Sequence, residues 1–82
     1  MKRLDYTPHF LRGYGKAPDA IRRTFDKQAS FLRENLNHPS LRAKKYDESR
    51  DLWQARVTKD WRFYFKIVGD TYRIEEIRRH PK

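Results

Sequence analysis

Leu52-Trp53-Gln54-Ala55-Arg56-Val57 and, after three intervening residues, Trp61-Arg62-Phe63-Tyr64-Phe65-Lys66-Ile67 decide the fold of this chain. In the first run Trp53, Ala55 and Val57 alternate with Gln54 and Arg56. In the second, Trp61, Phe63, Phe65 and Ile67 alternate with Arg62, Tyr64 and Lys66. A period of two is the signature of a half-buried strand, so each run predicts one apolar and one polar face. Thr58-Lys59-Asp60 is short enough for a hairpin connection, and Val68-Gly69-Asp70 for a second one leading into a last strand over 71–78. Ile74 and Ile77 differ in parity there, which predicts a bulge or burial on both sides. Upstream, residues 41–46 predict a further strand. Asp47-Glu48-Ser49-Arg50-Asp51 has no apolar residue to bury and reads as a polar loop.

The first half has a different period. Ile21, Phe25, Ala29, Leu32 and Leu36 recur at spacings of three and four, with Phe31 on the flank, which predicts one long helix. Pro18 and Asp19 suit its first turn, and Asn37-His38-Pro39-Ser40 ends it. Before it, Thr7-Pro8 reads as the cap and first position of a short helix that Gly13 and Gly15 weaken and end. Residues 3–6 predict a first strand. The order is strand, helix, helix, then an antiparallel meander: an α+β fold in a single domain spanning residues 1–82.

Composition narrows the function. The chain has 82 residues, with 20 Lys and Arg against 11 Asp and Glu, for a formal charge of +9. Disorder is not expected at 15% aromatic content. The absence of cysteine excludes disulfides, thiolate zinc sites and a cysteine nucleophile. No apolar run approaches the ~20 residues needed to cross a bilayer. Met1-Lys2-Arg3-Leu4-Asp5 does not read as a signal peptide, so no membrane association is expected and the cytoplasm is the default address. The basic excess is spread over both halves of the chain, which points to a polyanionic partner or simply to solubility.

Gln54, Arg56, Arg62, Tyr64 and Lys66 share the polar side of the meander by parity. That is either a phosphate-binding surface or the ordinary wet face of an antiparallel sheet. Trp61 has the parity of Phe63 and Phe65, so it either packs in the core or stacks a base. Glu75 and Glu76 are adjacent on a strand and point to opposite faces, so they are not a catalytic pair. His9 and His38 take no role.

His38-Pro39-Ser40-Leu41-Arg42-Ala43-Lys44-Lys45, with Leu52 to Val57 and Trp61 to Phe65, resembles the RelE/ParE superfamily of bacterial toxins. The likeness covers essentially the whole chain and is most specific from His38 to Phe65. It implies a RelE/ParE-like fold of N-terminal strand, two helices and a three- to four-stranded meander. For the RelE branch it implies an mRNA interferase, the toxin of a type II toxin–antitoxin pair, which cuts messages on the ribosome. Its partners would be mRNA, the ribosome and an acidic antitoxin. The 2′-hydroxyl would attack the adjacent phosphate, without metal or cofactor.

The resemblance implies phosphate clamping by Arg62, charge stabilisation by Arg56 and general-acid catalysis by His80, whose imidazole titrates near neutrality. It implies RNA-backbone contacts from Lys44 and Lys45 and a stacking role for Trp61; Arg78 and Arg79, one of them standing where the family has a glycine before the tail, are expected to add basic, RNA-binding surface. The sequence departs from the family at Gln54, where some relatives carry a catalytic lysine or histidine, and it has no aromatic residue after His80. The alternatives are a ParE-like poison of DNA gyrase without an active site, or a non-catalytic RNA- or antitoxin-binding member.

Overall fold

The computed structural model describes residues 2–81; Met1 and Lys82, the ends of the expected domain, lie outside the described residues. The elements are β1 (Arg3–Tyr6), α1 (Pro8–Lys16), α2 (Asp19–Glu34), a 3-10 turn (Pro39–Leu41), β2 (Lys44–Asp47), β3 (Leu52–Thr58), β4 (Trp61–Val68) and β5 (Thr71–Arg79). The strands form one sheet in the order β1-β5-β4-β3-β2. From β2 to β5 it is the expected antiparallel meander, and β1 joins its far edge parallel to β5.

Thr7 caps α1 as expected. Its Oγ1 accepts from the Phe10 amide at 3.0 Å, and its hydroxyl donates to the Glu75 carbonyl at 3.0 Å. Glu75 is the extra residue of a bulge in β5, since Phe65 pairs with Ile74 and Tyr64 with Glu76. The bulge lets Ile74 and Ile77 both be buried despite their parity.

Three boundaries differ from expectation. Helix α1 runs through both glycines to Lys16 and ends at Ala17. Gly13 serves close packing, because a Cβ there would meet the Ile77 carbonyl at 3.1 Å. Helix α2 stops at Glu34, so Leu36 joins the core from the following loop. Leu41 is buried in the 3-10 turn and only Lys44 begins the strand, which includes Asp47.

The helices cover one sheet face. Phe10, Phe25, Leu32, Phe63, Phe65 and Ile74 are buried between them. The Phe25 and Phe63 rings meet edge to face at 5.1 Å and 85°, a preferred geometry for aromatic pairs. Each buried phenylalanine contributes about 1.5–3 kcal/mol, so a few large rings stabilise a short chain. Among the described residues the opposite sheet face carries no helix, and the candidate site lies there.

Candidate functional site

Cross-strand register builds the site. Arg56 on β3 pairs with Arg62 on β4, and Arg62 pairs with Arg78 on β5, so three arginines lie in a row across the open face. One row over, Lys44, Gln54, Tyr64 and Glu76 lie across β2 to β5. Arg42, Lys44, Gln54, Arg56 and Arg62 line a cavity of about 180 Å³. Among the described residues no carboxylate lines it and none of its four cations makes an ion pair.

Each cation is held by local structure. Arg42 has a left-handed backbone, with φ 47°, where the chain leaves the 3-10 turn. Strand β2 begins at Lys44, opposite Gln54, so among the described residues β3 beyond Gln54 lacks a strand partner on its outer edge. Gln28 of α2, only 3% exposed, supplies one: its Nε2 donates to the Arg56 carbonyl at 2.8 Å and to the Ser40 carbonyl at 3.1 Å. The Ser40 hydroxyl donates back to Gln28 Oε1 at 3.1 Å. His38, stacked on Phe31 at 3.9 Å, accepts at Nδ1 from the Ser40 amide at 3.2 Å. A buried amide must be hydrogen-bonded; here the bonds tie the segment carrying Arg42 to the strand carrying Arg56.

Arg62 reaches back over the hairpin and donates through Nη1 to the carbonyls of Thr58 at 2.6 Å, Lys59 at 3.0 Å and Trp61 at 3.0 Å. Its guanidinium is thereby fixed at the cavity. The Nε of Arg56 is buried without a partner. Burial, then the charges of Arg42 and Arg62, push the Arg56 pKa below the ordinary arginine value. Like charges opposed across strands are destabilising, and the arrangement suits an anion whose charge would relieve them.

The structure does not bring all the expected residues together. Lys44, Arg56, Arg62 and Arg78 share the open face. Lys45 pairs with Trp53 and Arg79 with Trp61, so these two belong to the opposite side. The Lys45 ammonium lies 5.3 Å from the Trp53 ring centre and 2.6 Å from an Asp51 carboxylate oxygen. Trp61 is half-buried against the core, away from the arginine row. His80 is exposed, and its backbone amide donates to the Asp60 carbonyl at 2.6 Å, placing it beside the β3–β4 turn. Gln54 and Tyr64 have the expected parity but are buried rather than wet, at 7% and 2% exposure. Tyr64 is covered by Arg78, 4.6 Å from its ring centre, and by Tyr46, whose ring centre lies 5.0 Å away. Glu76 faces Arg78 at 3.7 Å and His9 at 3.4 Å.

Sequence reasoning missed Arg42, Gln28 and Tyr46. Gln28 carried the one legible signal, a polar residue one turn from Phe25 and Leu32 on the buried stripe. A second hollow, about 220 Å³, lies at α1 and is lined by Tyr6, Phe10, Leu11, Tyr14, Phe25 and Asp26. It is mostly apolar, and its one carboxylate accepts a hydrogen bond from Tyr14 at 2.9 Å.

No family model matches the sequence, and no curated protein matches it significantly. Solved structures do match. YafQ from E. coli strain BL21(DE3) superposes with a TM-score of 0.79 at 18% identity, covering 98% of this chain and 94% of that one. A YoeB/ParE toxin from Agrobacterium tumefaciens gives 0.78 at 15% identity, covering 96% and 99%. A chain of the archaeal RelE-RelB complex from Pyrococcus horikoshii OT3 gives 0.74 at 19% identity, covering 95% and 93%. The fold is that of the RelE/ParE superfamily toxins.

Proposed function

We propose that this chain is a RelE-like toxin of a type II toxin–antitoxin pair, an endoribonuclease that cleaves mRNA on the ribosome and so inhibits translation. The observation that carries this reading is the cross-strand pair Arg56–Arg62, joined by Arg42 and Lys44 in lining a cavity to which, among the described residues, no carboxylate contributes. The shared toxin fold supports it. The 2′-hydroxyl oxygen attacks the adjacent phosphorus, the bond from phosphorus to the 5′-oxygen breaks, and a cyclic phosphate and a free 5′-hydroxyl result. Arg56 and Arg62 neutralise the crowded phosphate as charge builds up, the kind of term that dominates such catalysis. His80 sits at the end of the same sheet and gives a proton to the leaving oxygen.

Among the described residues no imidazole or carboxylate lines the cavity, and arginine is too basic to accept a proton readily. The nucleophile's proton therefore leaves to solvent or to the ribosome, whose positioning of the message lowers the remaining barrier. An acidic antitoxin would neutralise the toxin by covering the same cations, and the cytoplasm, with its ribosomes, is the place of action.

Induced expression in growing bacteria, with primer extension on their messages, tests the reading. Growth arrest with cut messages is expected, relieved by Arg62→Ala and by His80→Ala. Arrest that neither substitution relieves removes these catalytic assignments. DNA breaks with intact messages would replace the reading with gyrase poisoning.

A further inference from the structure

Among the described residues four large apolar side chains are exposed: Tyr6, Leu11, Tyr46 and Val68. Tyr6 and Leu11 belong to the hollow at α1, and Val68 ends β4 at a turn. Tyr46 stands among cations. It is the extra residue of the β2 irregularity, between Lys45 paired with Trp53 and Asp47 paired with Leu52. Two positions before it on the same strand is Lys44, which lines the cation cavity. On its other side its ring packs on Tyr64, the cross-strand neighbour of the cavity-lining Gln54.

Three contacts hold it. The Tyr46 and Tyr64 rings meet at 65° with centres 5.0 Å apart. Arg78 Nη2 donates to the Tyr46 hydroxyl at 3.3 Å, and the Arg78 guanidinium itself lies over the Tyr64 ring. In an edge-to-face contact one ring offers its edge and the other its face, so at least one face of Tyr46 is left uncommitted by Tyr64. The side chain is 49% exposed. An aromatic ring in solvent, braced by a buried ring and an arginine, gains nothing for the core from its open face. Its rise of two residues from Lys44, about 6.6 Å along a strand, is comparable to the reach from a backbone phosphate to its own base.

We infer that Tyr46 is the stacking platform for the nucleobase attached to the phosphate bound by Arg42, Lys44, Arg56 and Arg62. This rests on the reading of that cavity as an RNA phosphate site. It gives to Tyr46 the stacking role that the resemblance implied for Trp61, whose ring is partly buried against the core. Base stacking on an aromatic side chain is sequence-tolerant, so Tyr46 adds affinity for any single strand whose base can swing out of a helix.

The test measures binding of the purified chain to two probes of equal length. One is a short single-stranded RNA, 2′-O-methylated so that it cannot be cut; the other is its abasic ribose-phosphate counterpart. The unmodified chain binds the base-bearing probe roughly 5- to 150-fold more tightly, the range one stacked base supplies. Tyr46→Ala binds both probes with the affinity the unmodified chain has for the abasic one. Tyr46→Phe and Tyr46→Trp keep the preference, which separates stacking from the hydrogen bond to Arg78. A full preference retained by Tyr46→Ala, or no preference in the unmodified chain, overturns the assignment while the phosphate reading stands. Failure of both probes to bind, or an Arg56→Met variant that binds both normally, overturns the phosphate reading and this inference with it.

Discussion

Lys44 and Lys45 are consecutive, yet the sheet sends them to regions that treat charge in opposite ways. Lys45 lies over Trp53 with Asp51 and Glu48 at its ammonium, at 2.6 and 3.8 Å. Asp47 in the same turn accepts from the Ser49 hydroxyl at 2.8 Å and faces Arg50 at 3.8 Å. Charge there is matched within the protein. Lys44 opens onto Arg42, Arg56 and Arg62 with no carboxylate among them. Arg56 and Arg62 oppose like charges across β3 and β4, which costs stability. Local rules broken in a set are the pattern expected of a functional site.

The largest expected effect breaks that comparison directly. Arg56→Met and Lys45→Met each remove one positive charge and keep an apolar stem. Arg56→Met lowers message cleavage by about 10²- to 10³-fold, the scale of one preorganised charge at a reacting group. It leaves thermal stability equal or higher, because it removes a buried unpartnered Nε and two like-charge neighbours. Lys45→Met leaves cleavage unchanged and lowers stability. Cleavage rates and melting curves on both variants check this; a stability loss in Arg56→Met or a cleavage loss in Lys45→Met erases the contrast.

Next in size is the brace between the helix and the cation cavity. Gln28→Leu keeps the side-chain bulk and removes the bonds to Ser40 and Arg56. Leaving buried carbonyls unpaired costs about 1–3 kcal/mol, measured by urea unfolding. Cleavage falls too, because Arg42 and Arg56 lose their common anchor. Cleavage kept at full rate in a destabilised Gln28→Leu would show that the brace serves the fold alone.

This brace also marks the limit of what the sequence disclosed. Alternation over 52–67 and the stripe through Phe25, Ala29 and Leu32 are local patterns with fixed periods, and they gave the strands, the long helix and the open face. The row Arg56–Arg62–Arg78 was half legible, since parity put Arg56 and Arg62 on one face but register with β5 is a tertiary fact. Lys44 and Lys45 look alike in a one-dimensional reading. Only the pairing of Lys44 with Gln54, and of Lys45 with Trp53, separates them. Arg42 was hidden because a 3-10 turn and a left-handed residue, where a strand was expected, aim it into the cavity. Gly13 was misjudged because its close approach to Ile77 is set by a strand far along the chain.

A smaller effect sharpens the comparison from the ligand side. Sulfate should raise the melting temperature of the unmodified chain more than chloride does at equal ionic strength, since an anion bound only by the folded state stabilises it. At ten times its Kd the gain is about 1.4 kcal/mol. Arg56→Met should respond to the two salts alike. Equal responses in the unmodified chain would mean that the cavity holds no anion.

The smallest effect belongs to the matched region and reads out with pH. The Ser49 hydroxyl, the backbone amides of Arg50 and Ser49, and the Arg50 charge hold the Asp47 carboxyl below the ordinary aspartate value. Its pKa is thus lower folded than unfolded, so the unfolded chain takes up the proton first as pH falls. The stabilisation is complete above the ordinary aspartate value and fades as pH drops through the lowered one. Lys45 runs the opposite way: the hydrogen bond to Asp51 leads in raising its pKa, and its contribution is lost only as pH rises through that raised value. Arg56 differs from both. Folding disfavours its charge, so its penalty persists through neutral pH and lifts only as pH rises through its lowered value. Unfolding free energies measured from neutral to acid pH should therefore fall less steeply in Asp47→Asn than in the unmodified chain. Arg56→Met should leave the acid slope unaltered. An acid slope that Asp47→Asn does not flatten would mean that the turn's hydrogen bonds form equally in the unfolded chain, and the matched region would lose its claim to stabilise the fold.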